Sequence, residues 1–135
     1  MAQTVAITEN NGPDNPAFNG VEKIKWVWTS LADGTVIAST TVGLNPTTTK
    51  KYSGKIERLV TIPGAVALAP SDNYNVTILD EDGVDVLMGG GLLRDTANTE
   101  QVLGTSLGIC QYTTLSLRIA SAGDSKGGTV IIYLK

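Results

Sequence analysis

Four carboxylates that could bind a cation crowd into one short stretch: Asp80, Glu81, Asp82 and Asp85. Calcium binds clustered carboxylate oxygens, and the order Asp80-x-Asp82-Gly83 matches the middle of an EF-hand loop. In that alignment the first ligand position falls on Ile78 and the twelfth on Gly89, and neither residue offers a side-chain oxygen. We therefore interpret the cluster as a solvated hairpin turn in which Gly83 supplies a positive φ, with a weak cation site as the alternative.

Two glycine-containing strings look like catalytic or cofactor motifs. The string from Gly104 to Gly108 reads G-x-S-x-G, but a nucleophile elbow needs a histidine partner, and the chain contains no histidine. That absence also removes histidine-ligated zinc and the commonest general base. The run from Gly89 to Arg94 departs from a dinucleotide loop at its last position and lies in no βαβ pattern. The sequence therefore predicts no enzyme, no catalytic or metal site and no cofactor.

Cys110 is the only cysteine, and it lies in the apolar run that begins at Leu107. This context predicts a buried thiol that acts as a small hydrophobe. Residues 1–9 lack the basic start and apolar core of a signal peptide, and no stretch approaches the ~18 apolar residues of a membrane helix. We expect synthesis in a cytosol and no membrane anchor.

Composition narrows the class of protein further. A chain of 135 residues, 41% hydrophobic and 17% charged, predicts one globular domain rather than a disordered or membrane-spanning chain. The net charge of −3 and pI near 4.8 leave no global electrostatic case for nucleic-acid binding.

The elements that would position any site are predicted to be strands, because apolar and polar residues alternate with period two. The clearest strand runs from Val21 to Ser30, where Ile24, Trp26 and Trp28 share one face. Ala32-Asp33-Gly34 predicts a hairpin turn that returns as Thr35–Val42. The other predicted strands are Gln3–Thr8, Lys55–Ile62, Tyr74–Leu79 with its hairpin partner Val84–Met88, Tyr112–Ile119 and Thr129–Leu134. Leu92–Leu103 is the one segment that could hold a short helical turn.

About seven or eight short strands with frequent turns predict an all-β fold, an antiparallel β-sandwich or a jelly-roll-like barrel. We place this single domain at residues 20–135. Residues 1–19 are predicted to form an N-terminal strand that continues into an extended arm, because Pro13, Pro16 and neighbouring Asn and Gly residues disfavour local structure. The alternative is that Val5 and Ile7 belong to an integral strand of the sandwich.

A set of short motifs spans nearly the whole chain: Trp28-Thr29-Ser30 with Gly34, Val60–Gly64, Tyr74–Leu87, Gly91 with Arg94–Glu100, and Ser121–Ser125 with Gly128-Thr129-Val130. This pattern resembles the small virion proteins of tailed bacteriophages. The resemblance implies a β-sandwich without catalytic residues, made in the host cytoplasm and then built into the virion.

The resemblance further implies a capsid decoration or cement protein that binds across joints between copies of the major capsid protein. Its expected partners are the major capsid protein or other virion proteins and copies of itself, as a dimer or trimer, with no nucleic acid and no membrane. One alternative is a neck, head–tail connector or tail component. Another is a carbohydrate-binding β-sandwich with a stacking face formed by Trp26, Trp28, Tyr52 and Tyr74.

Overall fold

A computed structural model describes residues 3–9 and 20–135, and the regular secondary structure of these residues is almost entirely β-strand. The strands are β1 (Thr4–Glu9), β2 (Glu22–Thr29), β3 (Tyr52–Pro63), β4 (Asn75–Leu79), β5 (Glu100–Leu103), β6 (Ile109–Thr113), β7 (Ser116–Ala120) and β8 (Gly127–Leu134). Two short 3-10 turns cover Val66–Leu68 and Gly104–Ser106. Within this part of the chain, no helix has the length and apolarity needed to cross a membrane.

The strands form two antiparallel sheets that pack face to face. The larger sheet has the order β1-β2-β8-β3-β5, and β6 also pairs with β3. The smaller sheet pairs β4 with β7, and isolated bridges add Val36 and Thr47 to its β7 side. The predicted all-β fold is confirmed, and the architecture is an open sandwich rather than a closed barrel.

The face predicted for β2 is confirmed. Ile24, Trp26 and Trp28 are at most 1% exposed, whereas Val27 between the tryptophans is 46% exposed. The indole N–H of Trp26 donates to the carbonyl of Pro46 at 2.8 Å, so this ring has a polar partner as well as apolar contacts. The Trp28 ring lies 5.8 Å from that of Tyr74, measured between centroids. The two rings join the large sheet to the start of the small one.

The strand predicted at Lys55–Ile62 is present as part of β3, but the predicted alternation along it is wrong. We expected Ile56, Arg58, Val60 and Ile62 on one face, against Glu57, Leu59 and Thr61. The pairing with β8 shifts register between Ile56 and Arg58, which inserts one extra residue. Beyond this bulge, Leu59 and Thr61 are buried on the core side together with Ile56.

The hairpin predicted after β2 is also wrong, because Thr35–Val42 forms no strand. Both edges of β2 are already occupied, one by β1 and the other by β8. Gly34 does turn the chain, with a φ of +83°. The chain then crosses to the smaller sheet, where Val36 and Ile119 exchange backbone hydrogen bonds of 3.0 and 3.2 Å.

Val84–Met88 likewise fails to pair as a strand. It contacts only the end of β4, through a bridge between Leu79 and Asp85, a bond from the Val86 N–H to the Ile78 carbonyl and a bond from the Ile78 N–H to the Asp85 carboxylate. The side of β4 away from β7 is occupied instead by a later segment, since the Val76 N–H donates to the Gly91 carbonyl. Competition from this non-local partner explains the error.

The segment predicted as one strand from Tyr112 to Ile119 is two strands in different sheets. β6 pairs with β3 in the large sheet, and β7 pairs with β4 in the small one. The chain changes sheets at Thr114 and Leu115, a step that leaves no break in the apolar pattern. The helical turn predicted within Leu92–Leu103 is not found there. This segment ends in β5, and a short 3-10 turn follows it at Gly104–Ser106.

Residues 3–9 belong to the sandwich. β1 pairs with β2 along its whole length, Val5 is 5% exposed, and Ile7 packs against the core. These contacts favour the alternative in which Val5 and Ile7 form an integral strand. The arm predicted for the rest of the N-terminal segment falls on residues 10–19, which lie outside the described residues.

Candidate functional site

The acidic turn uses its carboxylates to hold its own backbone. Asp80 Oδ1 accepts hydrogen bonds from the N–H groups of Asp82 at 2.9 Å and Val84 at 3.0 Å. This arrangement is an Asx-type turn, in which the side chain replaces a backbone acceptor. Gly83 completes the turn with a φ of +78°, as its place in the sequence predicted.

The Asp85 carboxylate likewise accepts hydrogen bonds from backbone N–H groups. Its Oδ1 accepts from the N–H groups of Ile78 and Leu87 at 3.1 and 3.0 Å, and its Oδ2 accepts from that of Gly89 at 3.0 Å. Glu81 instead forms an ion pair with Lys51, at 3.2 Å. Across residues 3–9 and 20–135, no group of three or more acidic, cysteine or histidine side chains is arranged to hold a metal ion. The geometry therefore supports the turn interpretation.

The G-x-S-x-G string forms a 3-10 turn between two strands, not the strand–turn–helix of a nucleophile elbow. Ser106 at its centre is exposed. The ammonium group of Lys55 donates to the carbonyls of Gly104, of Leu107 at 2.7 Å and of Ile56 at 3.2 Å. The string thus anchors the connection between β5 and β6 to β3.

The three consecutive glycines allow close packing. A Cβ added at Gly91 would lie 2.3 Å from the Val76 carbonyl oxygen, and one at Gly90 would lie 2.8 Å from Leu107 Cδ2. The distance at Gly91, to a backbone oxygen, is too short for any side chain, whereas the one at Gly90 would require Leu107 to shift. The glycines hold this turn against β4 on one side and against the 104–108 turn on the other.

Cys110 is buried, as predicted, and this burial raises the pKa of its thiol to about 11. The four aromatic rings considered for carbohydrate stacking are also buried: Trp26, Trp28, Tyr52 and Tyr74 are at most 2% exposed. Burial also raises the pKa of Tyr74 to about 12. These rings stabilise the core and present no stacking surface.

Several exposed large apolar side chains lie along one edge of the sandwich, while others, such as Val42 and Val66, are exposed elsewhere. We call this surface the apolar edge; it consists of Met88, Leu103, Ile109 and Tyr112, which are 69–72% exposed. β5 and β6 carry three of these residues, and both strands pair with β3 on the side away from β8. Met88 lies close to the start of β6. A Cβ built on Gly108, the residue before that strand, would be 3.3 Å from the Met88 Sδ.

Two residues of the apolar edge have strained backbones. Met88 and Tyr112 have φ values of +52° and +43°, in the left-handed region that costs a residue with a Cβ roughly 1–2 kcal/mol. The Tyr112 ring also faces the ammonium group of Lys51, 5.0 Å from its centroid. Val66 and Leu93, exposed apolar residues outside the apolar edge, have φ values of +54° and +58° as well, so positive φ is not particular to this edge.

Sequence reasoning missed the apolar edge, because exposed apolar residues on short, irregular segments leave no periodic pattern. Gly89–Gly91 was the one available signal, since a glycine run implies a constrained turn. Comparison with protein-family models, curated proteins and solved structures finds no match. Fold and surface together define a class: a small antiparallel β-sandwich with an exposed apolar edge.

Proposed function

We propose that this protein is a structural component of a tailed-phage virion that decorates or cements the capsid across joints between major capsid subunits. Three features support the proposal. The fold is a compact sandwich, the motifs that resembled chemistry serve as turn anchors and caps, and the apolar edge is available for contact. The family resemblance described above supplies the phage context.

The apolar edge is the observation that carries the proposal. Single exposed apolar residues are ordinary, but four on the same edge of a sheet favour an interaction surface. Burying one such side chain fully is worth about 1.5–3 kcal/mol, so the four residues offer roughly 6–12 kcal/mol before the costs of association. That gross range is comparable to the association cost of about 4–15 kcal/mol, so the apolar edge would act together with further contacts at the joint.

A decoration protein stabilises a shell because it binds the assembled state and not the separate subunits. Binding at a joint then shifts the assembly equilibrium by mass action. The sandwich suits this role because its apolar edge lies on short strands braced by Lys55 and Asp85, so little order has to be gained on docking.

A neck, head–tail connector or tail component uses the same kind of surface, and copy number separates it from the shell protein. Hundreds of copies per particle indicate the shell, and a dozen or fewer indicate the neck or tail. The carbohydrate-binding alternative rested on four aromatic rings that are buried here. It therefore has no observation in its favour.

The test is the content of virus particles produced from the genome that encodes the chain. We expect quantitative mass spectrometry of purified particles to find hundreds of copies of the protein. In the same particles, Ile109→Ser should lower occupancy by about 5–30-fold, the effect of losing 1–2 kcal/mol.

Val42→Ser is the matched control, because Val42 is 97% exposed and lies outside the apolar edge. Its occupancy should equal that of the unmodified protein. Absence of the protein from particles would overturn the virion role. Equal occupancy of Ile109→Ser and Val42→Ser would remove the apolar edge from the contact.

A further inference from the structure

A second exposed apolar surface lies in the loop that follows β3. Ala65, Val66, Ala67 and Leu68 are all exposed, with Val66 at 94% and Leu68 at 49%. We call these four residues the 65–68 loop. The whole segment from Pro63 to Pro70 contains no polar side chain. Surface loops are ordinarily polar, and a run of four exposed apolar residues is unfavourable in water unless a function uses it.

Hydrogen bonds hold the 65–68 loop in one conformation. A 3-10 turn at Val66–Leu68 forms its centre. The Lys126 ammonium donates to the Ala67 carbonyl at 3.0 Å, and the Gly64 N–H donates to the Gly127 carbonyl at 2.8 Å. Because these contacts already order the loop, it would lose little conformational entropy when it docks.

Folding of the domain does not account for the valine at position 66. Its side chain is almost fully exposed, so it adds little to the core, and its φ is +54°. Among the described residues with a positive φ, Val66 is the only β-branched one. Positive φ is an outlier for a β-branched residue, whereas asparagine and glycine tolerate it. The free domain would therefore be at least as stable with asparagine here.

The 65–68 loop and the apolar edge lie at different places along β3. Ile109 pairs with Lys55 near the beginning of this strand, and the loop follows its end at Pro63. Pro63 comes eight positions after Lys55, which at ~3.3 Å per residue is a separation of roughly 25 Å. A protein that binds across a joint must contact two subunits, and these two surfaces are far enough apart to reach one each.

We propose that the 65–68 loop inserts into an apolar pocket of one capsid subunit while the apolar edge contacts its neighbour. This inference rests on the proposed function, since crossing a joint requires a second contact, and it specifies the chemistry of that contact. Val66 and Leu68 are the side chains that enter the pocket. The pocket belongs to a different virion protein and presents apolar groups to the loop.

A second copy of this chain fits the 65–68 loop less well. Common interfaces use about 20–30 residues on each side, so a loop-to-loop pair of copies would be far too small to be stable. An open cavity of this chain does not match the loop either, because four of its five lining residues are polar: Ala38, Ser39, Thr40, Asn45 and Thr47.

A membrane is also a poorer occupant than a protein pocket. The chain has a net charge of −3, so it gains no overall electrostatic attraction to anionic lipids. The loop offers only two large apolar side chains, Val66 and Leu68, for insertion into a bilayer.

The first arm of the experiment compares Val66→Asn with Val42→Asn in purified particles. Val42 is 97% exposed and lies outside both surfaces, so it is the matched control. We expect Val66→Asn to lower occupancy by about 5–30-fold and Val42→Asn to change it less than twofold. The melting temperature of free Val66→Asn should equal or exceed that of the unmodified protein. A melting temperature several degrees lower would assign Val66 to folding and overturn the inference.

The second arm places the photo-crosslinking amino acid p-benzoylphenylalanine at position 66, and in separate particles at position 109. We expect both positions to crosslink to another virion protein, and the two crosslinks to map to different segments of it. The same amino acid at position 42 should give no crosslink. Crosslinks from positions 66 and 109 to one and the same segment would contradict contact with two subunits.

The outcomes separate this inference from the proposed function. Absence of the protein from particles overturns both. If the protein is present, a crosslink from position 66 to a second copy or to nucleic acid, or no crosslink, overturns only the inference. Equal occupancy of Val66→Asn and Val42→Asn does the same. Binding of the free protein to phosphatidylcholine vesicles that Val66→Asn abolishes would assign the loop to a membrane instead.

Discussion

β1 forms one edge of the large sheet, and β5 and β6 form the other. The two edges differ in what covers their backbone and in the side chains that they expose. At the β1 edge, the Gln3 side chain donates to the carbonyls of Ile37 at 2.8 Å and Leu44 at 2.7 Å, and accepts from the Ile37 N–H at 2.9 Å. The Val5 N–H donates to the Gly43 carbonyl at 2.8 Å. A loop thus covers part of this edge, and the outward side chains Thr4, Ala6 and Thr8 are small.

At the opposite edge, the chain breaks into two short strands around the 104–106 turn. Short, interrupted edge strands discourage pairing with another sheet, as loop cover does. Here, however, the exposed side chains include the large apolar Leu103, Ile109 and Tyr112 beside the polar Gln101 and Gln111. The adjoining turns are fixed by Lys55 and Asp85. Both edges limit backbone pairing, but this one also offers side-chain surface.

The difference indicates that the residues important for folding stability and the residues available for binding lie at opposite edges of the large sheet. Residues at the β1 edge contribute mainly to the folding of the sandwich. Residues of the apolar edge contribute little to folding, because they are already exposed to solvent, and are available for contact. Variants at the two edges should therefore differ in which property they change.

The largest effect tests the core that both edges share. Trp26→Ala should lower the free energy of unfolding by about 3–5 kcal/mol, because it leaves a cavity and removes the partner of the Pro46 carbonyl. Val27→Ala, one residue away on the opposite face, should cost less than about 1 kcal/mol. Urea unfolding followed by circular dichroism measures both. Similar losses for the two variants would contradict the burial of this face.

The next effect tests the β1 edge. Gln3→Ala should cost about 2–3 kcal/mol, because Gln3 is 3% exposed and its removal leaves backbone groups of Ile37 and Leu44 without partners. Thr4→Ala, at an exposed neighbouring position, should change stability by less than about 0.5 kcal/mol. If Gln3→Ala behaved like Thr4→Ala, β1 would be a detachable strand rather than part of the domain.

The sequence predicted those parts of the fold in which local pattern and tertiary contacts agree. β2, β4 and β8 alternate or are strongly apolar, and their positions are close to those predicted. The errors arose from non-local competition. β2 had no free edge for Thr35–Val42, and Gly91 lies beside the start of β4, so that Val84–Met88 contacts only its end. The bulge at Glu57 reversed the face of β3 without a glycine or proline to mark it.

Less of the apolar edge than of the fold could be predicted from the sequence. The acidic turn and the glycine run were identified, but their role as supports of Met88 depends on distances that no motif encodes. Ile109 and Tyr112 lie in largely apolar stretches of the sequence without a clear period, and they are exposed on the edge strand β6. Exposure of this kind is set by the order of strands in the sheet, which local pattern does not determine.

A smaller effect tests the support of the apolar edge. Asp85→Ala should cost about 1–2 kcal/mol, because three N–H groups around the turn lose their acceptor. Hydrogen exchange should accelerate at Leu87 and Gly89, next to Met88. Asp82→Ala is the control, since no described hydrogen bond uses the Asp82 carboxylate. Unchanged exchange in Asp85→Ala would show that the turn is held by other contacts.

The smallest expected effect concerns calcium, and it tests whether the acidic turn is a structural support or a cation site. Adding millimolar calcium, or EDTA, should move the melting temperature by less than about 1 °C, because a ligand stabilises only in proportion to its preference for the folded state. Asp80 and Asp85 already accept five backbone N–H hydrogen bonds between them, so a cation would have to compete with these for the same oxygens. Differential scanning calorimetry with and without calcium makes the measurement, and magnesium controls for ionic strength. A calcium-specific rise of several degrees that Asp82→Ala abolishes would make this turn a binding site rather than a support for Met88.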